Sequence, residues 1–259
     1  MARKIFALML DLSGTVHVDD CLLPGVKEAL ALLADRSVSN QFVTNTSKES
    51  KNSLMDKLGK AGLNVKADNV FTSLTAAHDL VTRDDLRPLL LLEQSAAQQF
   101  SDMDTDNPNC VLVGLSPSCF HYEKLNQAFQ LVMGGARLVA VNKSRYYKRG
   151  SELALGTGAF VAGLEFSGDC QADVVGKPSK TFFDLAVSRF GGGVSAGEVL
   201  MVGEYVRDDV IGAQQAGLQG CLFRTGKYRE GDEDKFDVKP DFVFNSLLEM
   251  AQYVVGQIA

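Results

Sequence analysis

Several short apolar runs in this chain end in polar groups that could do chemistry. Ile5–Leu10 leads to Asp11-Leu12-Ser13-Gly14-Thr15, and Phe42-Val43 leads to Thr44-Asn45. Val174-Val175 leads to Lys177, and Val199–Val202 leads to Glu204, with Arg207, Asp208 and Asp209 just beyond. Asp11, Glu204 and Asp209, if brought together, would repel one another unless a cation sat among them. Hard carboxylate oxygens with no His or Cys nearby suit Mg²⁺, which takes one or two carboxylates plus substrate phosphate. Lys177 and the Thr44 hydroxyl could hold phosphate oxygens out of the metal's reach. Gly14, without a Cβ, lets the backbone after Asp11 turn sharply and approach a ligand. A carboxylate nucleophile, a metal and a lysine together suit phosphoryl transfer. Taken singly, each group has a plainer role. A strand-terminal Asp often forms a turn or cap, and Asp208-Asp209 ahead of a helix offsets its dipole. The order and the shared strand-end placement favour a site.

Elements of suitable length surround these groups. After Ile5–Leu10, Pro24 opens a helix carrying Val26, Ala29, Leu30 and Leu33 on one face. Phe42-Val43 is a second strand, followed by a helix through Leu54, Leu58 and Ala61 that stops at Gly62. Val174-Val175 is a further strand. After Ser179, a good N-cap, Phe183, Ala186, Val187 and Phe190 repeat the helical spacing. Val199–Val202 and Cys221-Leu222-Phe223 are strands, with a short helix over Asp209 to Ala216 between them. This alternation predicts an α/β fold, a doubly wound parallel (Rossmann-like) sheet with ligands bound beyond the carboxyl ends of its strands. Between residues 79 and 173 the texture changes. Strands at Leu89–Leu92, Cys110–Val113 and Leu138–Val141 and a helix with Leu125, Ala128, Phe129 and Val132 on one face predict a second, inserted domain. The predicted core is then 1–78 with 174–259.

Composition narrows the classes. With 259 residues, 46% hydrophobic and 22% charged, the chain is an ordinary globular one, large enough for a full core. A net charge of −6 argues against a nucleic-acid or acidic-membrane binder. Five cysteines without a C-x-x-C pair exclude zinc ribbons and thioredoxin-like sites and suit reduced thiols. The apolar run Ile5–Leu10 is too short for a membrane span or a signal-peptide core, so the expected location is cytoplasmic, with the nucleus left open. His17, His78 and His121 show no ligand spacing, and Cys21 has no assigned role. Lys143, Arg145, Lys148 and Arg149, interleaved with Tyr146 and Tyr147, form either an electropositive rim for anionic substrate or a solvated turn.

Read in order, "LMLDLSGTV", "FVTNTS", "VVGKP" and "MVGEYVRDDV" resemble the four motifs of the haloacid dehalogenase-like hydrolase superfamily. The insertion between the second and third is similar to the α/β cap of subclass IIA. The Lys143–Lys148 stretch within it and a late Thr225-Gly226-Lys227 outside it also resemble stretches in members of that subclass. The resemblance implies a Mg²⁺-dependent phosphatase acting on small phosphorylated molecules, with a homodimer formed through the cap. By carry-over, Asp11 is the nucleophile, and Asp11, Ser13 and Lys177 form the catalytic set. Asp11, the Ser13 carbonyl and Glu204 would hold Mg²⁺, with Asp209 orienting a metal-bound water and Asp208 a weaker candidate. Leu12, Ser13, Thr44, Asn45 and Lys177 join Asp11 in binding substrate.

Two positions depart from the family pattern. Ser13 stands where most of its phosphatases carry a second Asp as general acid, and Glu204 stands where Asp is usual. Lacking that acid, the site is expected to prefer leaving groups that need little help, such as phosphoramidates or pyrophosphate. The same departures keep open an alternative, a catalytically weak pseudophosphatase acting as a binding or scaffold protein. A carbon–halogen dehalogenase is disfavoured, because Glu204 and Asp209 suggest a metal which that reaction does not need.

Overall fold

The computed structural model describes residues 4–149 and 152–258, the side chains of Lys148, Arg149 and Ile258 apart; the far end of the basic stretch therefore lies outside the described side chains. The chain forms two compact units. One comprises Met1–Thr44, Met55–Phe71 and Lys177–Ala259, and the other Asn45–Leu54 and Thr72–Gly176.

In the first unit the strand Ala7–Asp11 is central to a six-stranded sheet. It pairs in parallel with Ser39–Thr44 on one side and Val199–Gly203 on the other. Val70–Thr72 extends the first side, and Gln219–Phe223 and Phe242–Phe244 extend the second, both in parallel pairing. The chain thus winds one way from the central strand and later the other, as expected for a doubly wound sheet. Ala7–Asp11, Val199–Gly203 and Gln219–Phe223 are buried along their whole length. That is why they read as continuous apolar runs rather than alternating ones. Helix Val26–Asp35 buries Val26, Ala29 and Leu33 and packs on the helix Leu247–Ile258. Gly25, in the left-handed region, precedes it, so Pro24 stands just outside the helix. Helix Lys180–Ser188 buries Phe182, Phe183 and Ala186, and Phe182 meets Phe71 at 5.1 Å between ring centroids.

The second unit holds a four-stranded parallel sheet in the order Asp173–Val174, Arg137–Ala140, Cys110–Val113, Pro88–Leu91. Leu91, Val113 and Ala140 from these strands pack with Ala128, Val132 and Val161 from the helices Tyr122–Met133 and Thr157–Gly168. An antiparallel hairpin joins Tyr146–Arg149 and Glu152–Leu155. Both units are therefore α/β, as predicted.

Two expectations are corrected. The third apolar run does not end in the core sheet. Asp173–Val174 pairs with Arg137–Ala140 in the second unit, and Lys177 follows from a non-strand segment. A strand of two residues has no periodicity of its own, so only its hydrogen-bonding neighbour decides which sheet it joins. The helix expected over Asp209 to Ala216 begins earlier, as a π-helical turn Val206–Ile211 followed by Gly212–Gln215. No helix among the described residues is long and apolar enough to cross a membrane. The five cysteines are free thiols, with Cys110 and Cys221 buried.

Candidate active site

Ligands in doubly wound sheets bind where the winding reverses, beyond the carboxyl ends of the strands. Here the reversal lies between Ala7–Asp11 and Val199–Gly203, with Leu10 paired to Val202. Asp11 ends the first strand and Glu204 follows the second. Asp11 also pairs with Val43, leaving Thr44 one residue beyond at the end of its strand. All three side chains are buried.

Lys177 joins Asp11 to Asp209. Its Nζ donates to Asp11 Oδ1 at 2.6 Å and to Asp209 Oδ1 at 2.6 Å. The lysine is only 4% exposed and Asp209 only 2%, so these ion pairs are shielded from water and from screening salt. Asp209 Oδ2 accepts from the Tyr205 N–H at 3.0 Å, and the Thr15 hydroxyl stands 3.5 Å from Asp11 Oδ2. After Asp11 the chain closes tightly. The Leu12 carbonyl accepts from the N–H groups of Thr15, Val16 and His17, while the Gly14 N–H donates to the His17 carbonyl at 2.7 Å. Gly14 holds φ +82, which a side chain would resist. Leu12 is buried and Ser13 is exposed at the turn. Asn45, next after Thr44, belongs to the second unit, where a Cβ on Gly176 would come within 2.7 Å of its Oδ1.

The electrostatics follow from burying more negative than positive charge. Burial raises the Asp11 pKa from 3.8 to about 6; Lys177 opposes this and Asp209 adds to it. Burial likewise raises Glu204 to about 7, opposed by the Lys227 N–H. Asp208 is pushed to about 7 by burial and then by Asp209. Burial works against the Lys177 charge, but Asp11 and Asp209 outweigh it and its pKa is raised.

Glu204 is held by a segment to which the motifs assigned no task. The Lys227 N–H donates to Glu204 Oε2, and the Lys227 ammonium stands 3.5 Å from Oε1. In donor chemistry and charge the site fits Mg²⁺: hard oxygens, an excess of buried carboxylate, and no His or Cys among them. The carboxylates are nonetheless turned to lysines rather than to one point. Among the described residues no three His, Cys, Asp or Glu side chains are grouped so as to hold a metal ion.

The family comparison places this parallel sheet, with a buried Asp–Lys–Asp cluster at its winding reversal, in a hydrolase class. Residues 8–106 match the model described as haloacid dehalogenase-like hydrolase, and residues 174–250 match a second described as HAD-hydrolase-like. The chain belongs to the haloacid dehalogenase-like hydrolase family. It is 47% identical over 256 residues to haloacid dehalogenase-like hydrolase domain-containing protein 2 of Bos taurus, covering 99% of this chain and 98% of that one. It is 34% identical to the human phospholysine phosphohistidine inorganic pyrophosphate phosphatase, over 93% and 91% of the two chains. A solved 4-nitrophenylphosphatase from Thermotoga maritima superposes with a TM-score of 0.88 at 31% identity, covering 98% of each chain.

Proposed function

We propose that this hydrolase is a Mg²⁺-dependent phosphatase that cleaves small phosphorylated molecules in two steps through an aspartyl-phosphate on Asp11. The observation that carries the reading is the buried Asp11 carboxylate at the strand end, fixed by an ammonium that Asp209 holds from the other side. The names of two relatives, a phospholysine phosphohistidine inorganic pyrophosphate phosphatase and a 4-nitrophenylphosphatase, support it.

In the first step an Asp11 carboxylate oxygen attacks phosphorus, and the bond from phosphorus to the leaving atom breaks with its electron pair. Lys177 offsets the charge on the phosphoryl oxygens, and Thr44 and Asn45 take part in binding them. In the second step a water oxygen attacks the same phosphorus. The acyl–phosphate bond breaks, inorganic phosphate leaves, and the Asp11 carboxylate is restored. Asp11, the Ser13 carbonyl, Glu204 and Asp209 are the residues that would hold Mg²⁺, whose contribution is to neutralise phosphoryl charge.

Ser13 sets the substrate class. It is exposed, and a hydroxyl is a poor proton donor near neutrality. Loss of a general acid costs about 10²–10⁴-fold in rate when the leaving group needs its proton. Phosphoramidates and pyrophosphate need it least. The test is a panel of phosphohistidine, imidodiphosphate and simple alkyl phosphates, assayed with Mg²⁺ and after chelation. The expected result is chelator-sensitive hydrolysis of the first two well above the alkyl esters. Equal rates on alkyl esters would overturn the substrate class, and full activity after chelation would overturn the metal requirement.

The second reading, a weakly catalytic binding protein, is favoured by one arrangement: both Glu204 oxygens face Lys227. Absence of turnover across the whole panel would support it. The reading also includes a homodimer formed through the second unit, where Tyr122, Met133, Leu153, Leu155 and Phe166 are exposed. Light scattering coupled to gel filtration is expected to give twice the 28.0 kDa chain mass, and a monomer would refute the dimer.

A further inference from the structure

The Thr225-Gly226-Lys227 turn lies just after the strand Gln219–Phe223 and touches both strand-end loops of its own unit. Thr225 Oγ1 donates to the Gly14 carbonyl at 2.6 Å, tying the turn to the loop that follows Asp11. The Lys227 N–H and ammonium face the two Glu204 oxygens. Between them the Glu204 carboxylate is sandwiched by two bare backbones. A Cβ on Gly226 would overlap Glu204 Oε2 and lie 2.6 Å from Gly14 Cα, and a Cβ on Gly14 would lie 2.5 Å from the Glu204 carboxyl carbon. Glu204 is 2% exposed, so its head group is shielded from bulk water.

We propose that the Thr225–Lys227 turn is a positioning element for the Glu204 carboxylate, and that it is matched to glutamate at this position. The slot between Gly14 and Gly226 exists because neither residue has a side chain, and the glutamate head group fills it. An aspartate would end about one carbon–carbon bond, roughly 1.5 Å, short. Its carboxylate would withdraw from the slot and from the Lys227 N–H. The turn is of a kind the family shares, so what distinguishes this chain is the glutamate that fills the slot where related enzymes usually carry an aspartate. In deepening the role of Glu204 the proposal rests on the phosphatase reading above, but the slot itself is a matter of packing and can be tested without it.

The experiment is a double-mutant cycle of Gly226→Ala and Glu204→Asp in the full chain. It is read by thermal unfolding and, separately, by Mn²⁺ uptake measured from the loss of the free-ion electron paramagnetic resonance signal. Gly226→Ala alone is expected to lower the melting temperature and weaken Mn²⁺ uptake at least tenfold. Adding Glu204→Asp is expected to restore the part of both losses that the carboxylate contact causes, because the shorter side chain clears the new methyl, while the 2.6 Å approach to Gly14 Cα remains in both backgrounds. Gly226 holds φ +58, so alanine is strained there whatever stands at 204. That strain cancels in the cycle, and the coupling reports the carboxylate contact alone. If Gly226→Ala fails to fold, recovery of folded protein on adding Glu204→Asp is the expected rescue.

Additive effects, a double variant that stays unfolded, or a Gly226→Ala protein that behaves as the native one would each overturn the proposal. If the native protein takes up no Mn²⁺ while the thermal coupling persists, the positioning stands and the metal-dependent reading fails. Normal uptake without coupling means the opposite: the positioning fails and the metal-dependent reading stands.

Discussion

Asp11→Asn is expected to abolish turnover while leaving the fold intact. The substitution removes the attacking oxygen's charge at almost constant shape, and loss of a covalent nucleophile reduces rate by roughly 10⁴-fold or more. Asparagine keeps a carbonyl oxygen where Asp11 Oδ1 accepts from Lys177 at 2.6 Å, so the lysine retains a partner. Stability is expected to hold or rise. Burial lifts the Asp11 pKa to about 6, which means the folded state binds its proton more tightly than the unfolded chain does. For a raised carboxyl the stability contribution is present at low pH and lost as pH climbs through the two pKa values. At neutral pH the native charge is therefore a cost, and a neutral side chain removes it. Steady-state rates and melting temperatures measured in one buffer check both halves. Hydrolysis surviving in the variant, or a hydroxylamine-labile phosphate label still forming on it, would sink the nucleophile assignment.

Lys177→Met is expected to fail on both counts, activity and stability. The lysine is the shared partner of two buried carboxylates, so its loss leaves like charges facing each other without the ammonium. Breaking a buried ion pair from one side costs about 3–5 kcal/mol. For a chain of this size that lowers the melting temperature by roughly 10 °C, at about 2–4 °C per kcal/mol. Arginine is not expected to rescue it, because a planar guanidinium cannot sit as a compact point charge 2.6 Å from both oxygens. The discriminating measurement is again a cycle. Lys177→Met with Asp11→Asn should be more stable than the sum of the two single effects gives, since removing one carboxylate relieves the repulsion that removing the lysine created. Strict additivity would mean that Lys177 acts through packing rather than through charge.

How far these groups could be read from the sequence depended on how local their signals were. Asp11 and Glu204 follow apolar runs that only a sheet covered on both faces would produce, and the structure places them at neighbouring strand ends. Thr44 was readable for the same reason. Lys177 was picked out by residue type and by motif order, yet the strand before it belongs to the other unit's sheet. Val174-Val175 has the same composition as a core strand, and nothing in two residues records which neighbour it will bond. The hairpins His17–Leu22 and Tyr146–Leu155 were missed because their strands are too short or too polar to show alternation. The work of Thr225–Lys227 was hidden more deeply. It depends on two glycines more than two hundred residues apart in the chain closing on one carboxylate, and only the fold creates that proximity.

The winding of the core sheet has a consequence for how the site comes into being. Ala7–Asp11 is made well before Val199–Gly203, one of its two sheet neighbours. The four-stranded sheet, by contrast, follows chain order, each of its strands bonding to the next one of that sheet along the chain. Contacts close in sequence form at lower entropic cost than distant ones, and chains fold as they emerge. Asp11 therefore waits in an incomplete sheet while the four-stranded sheet gains its partners. Only when Lys177 and Asp209 have been made can Asp11 join the buried charge cluster, so a fragment ending before Asp209 lacks it.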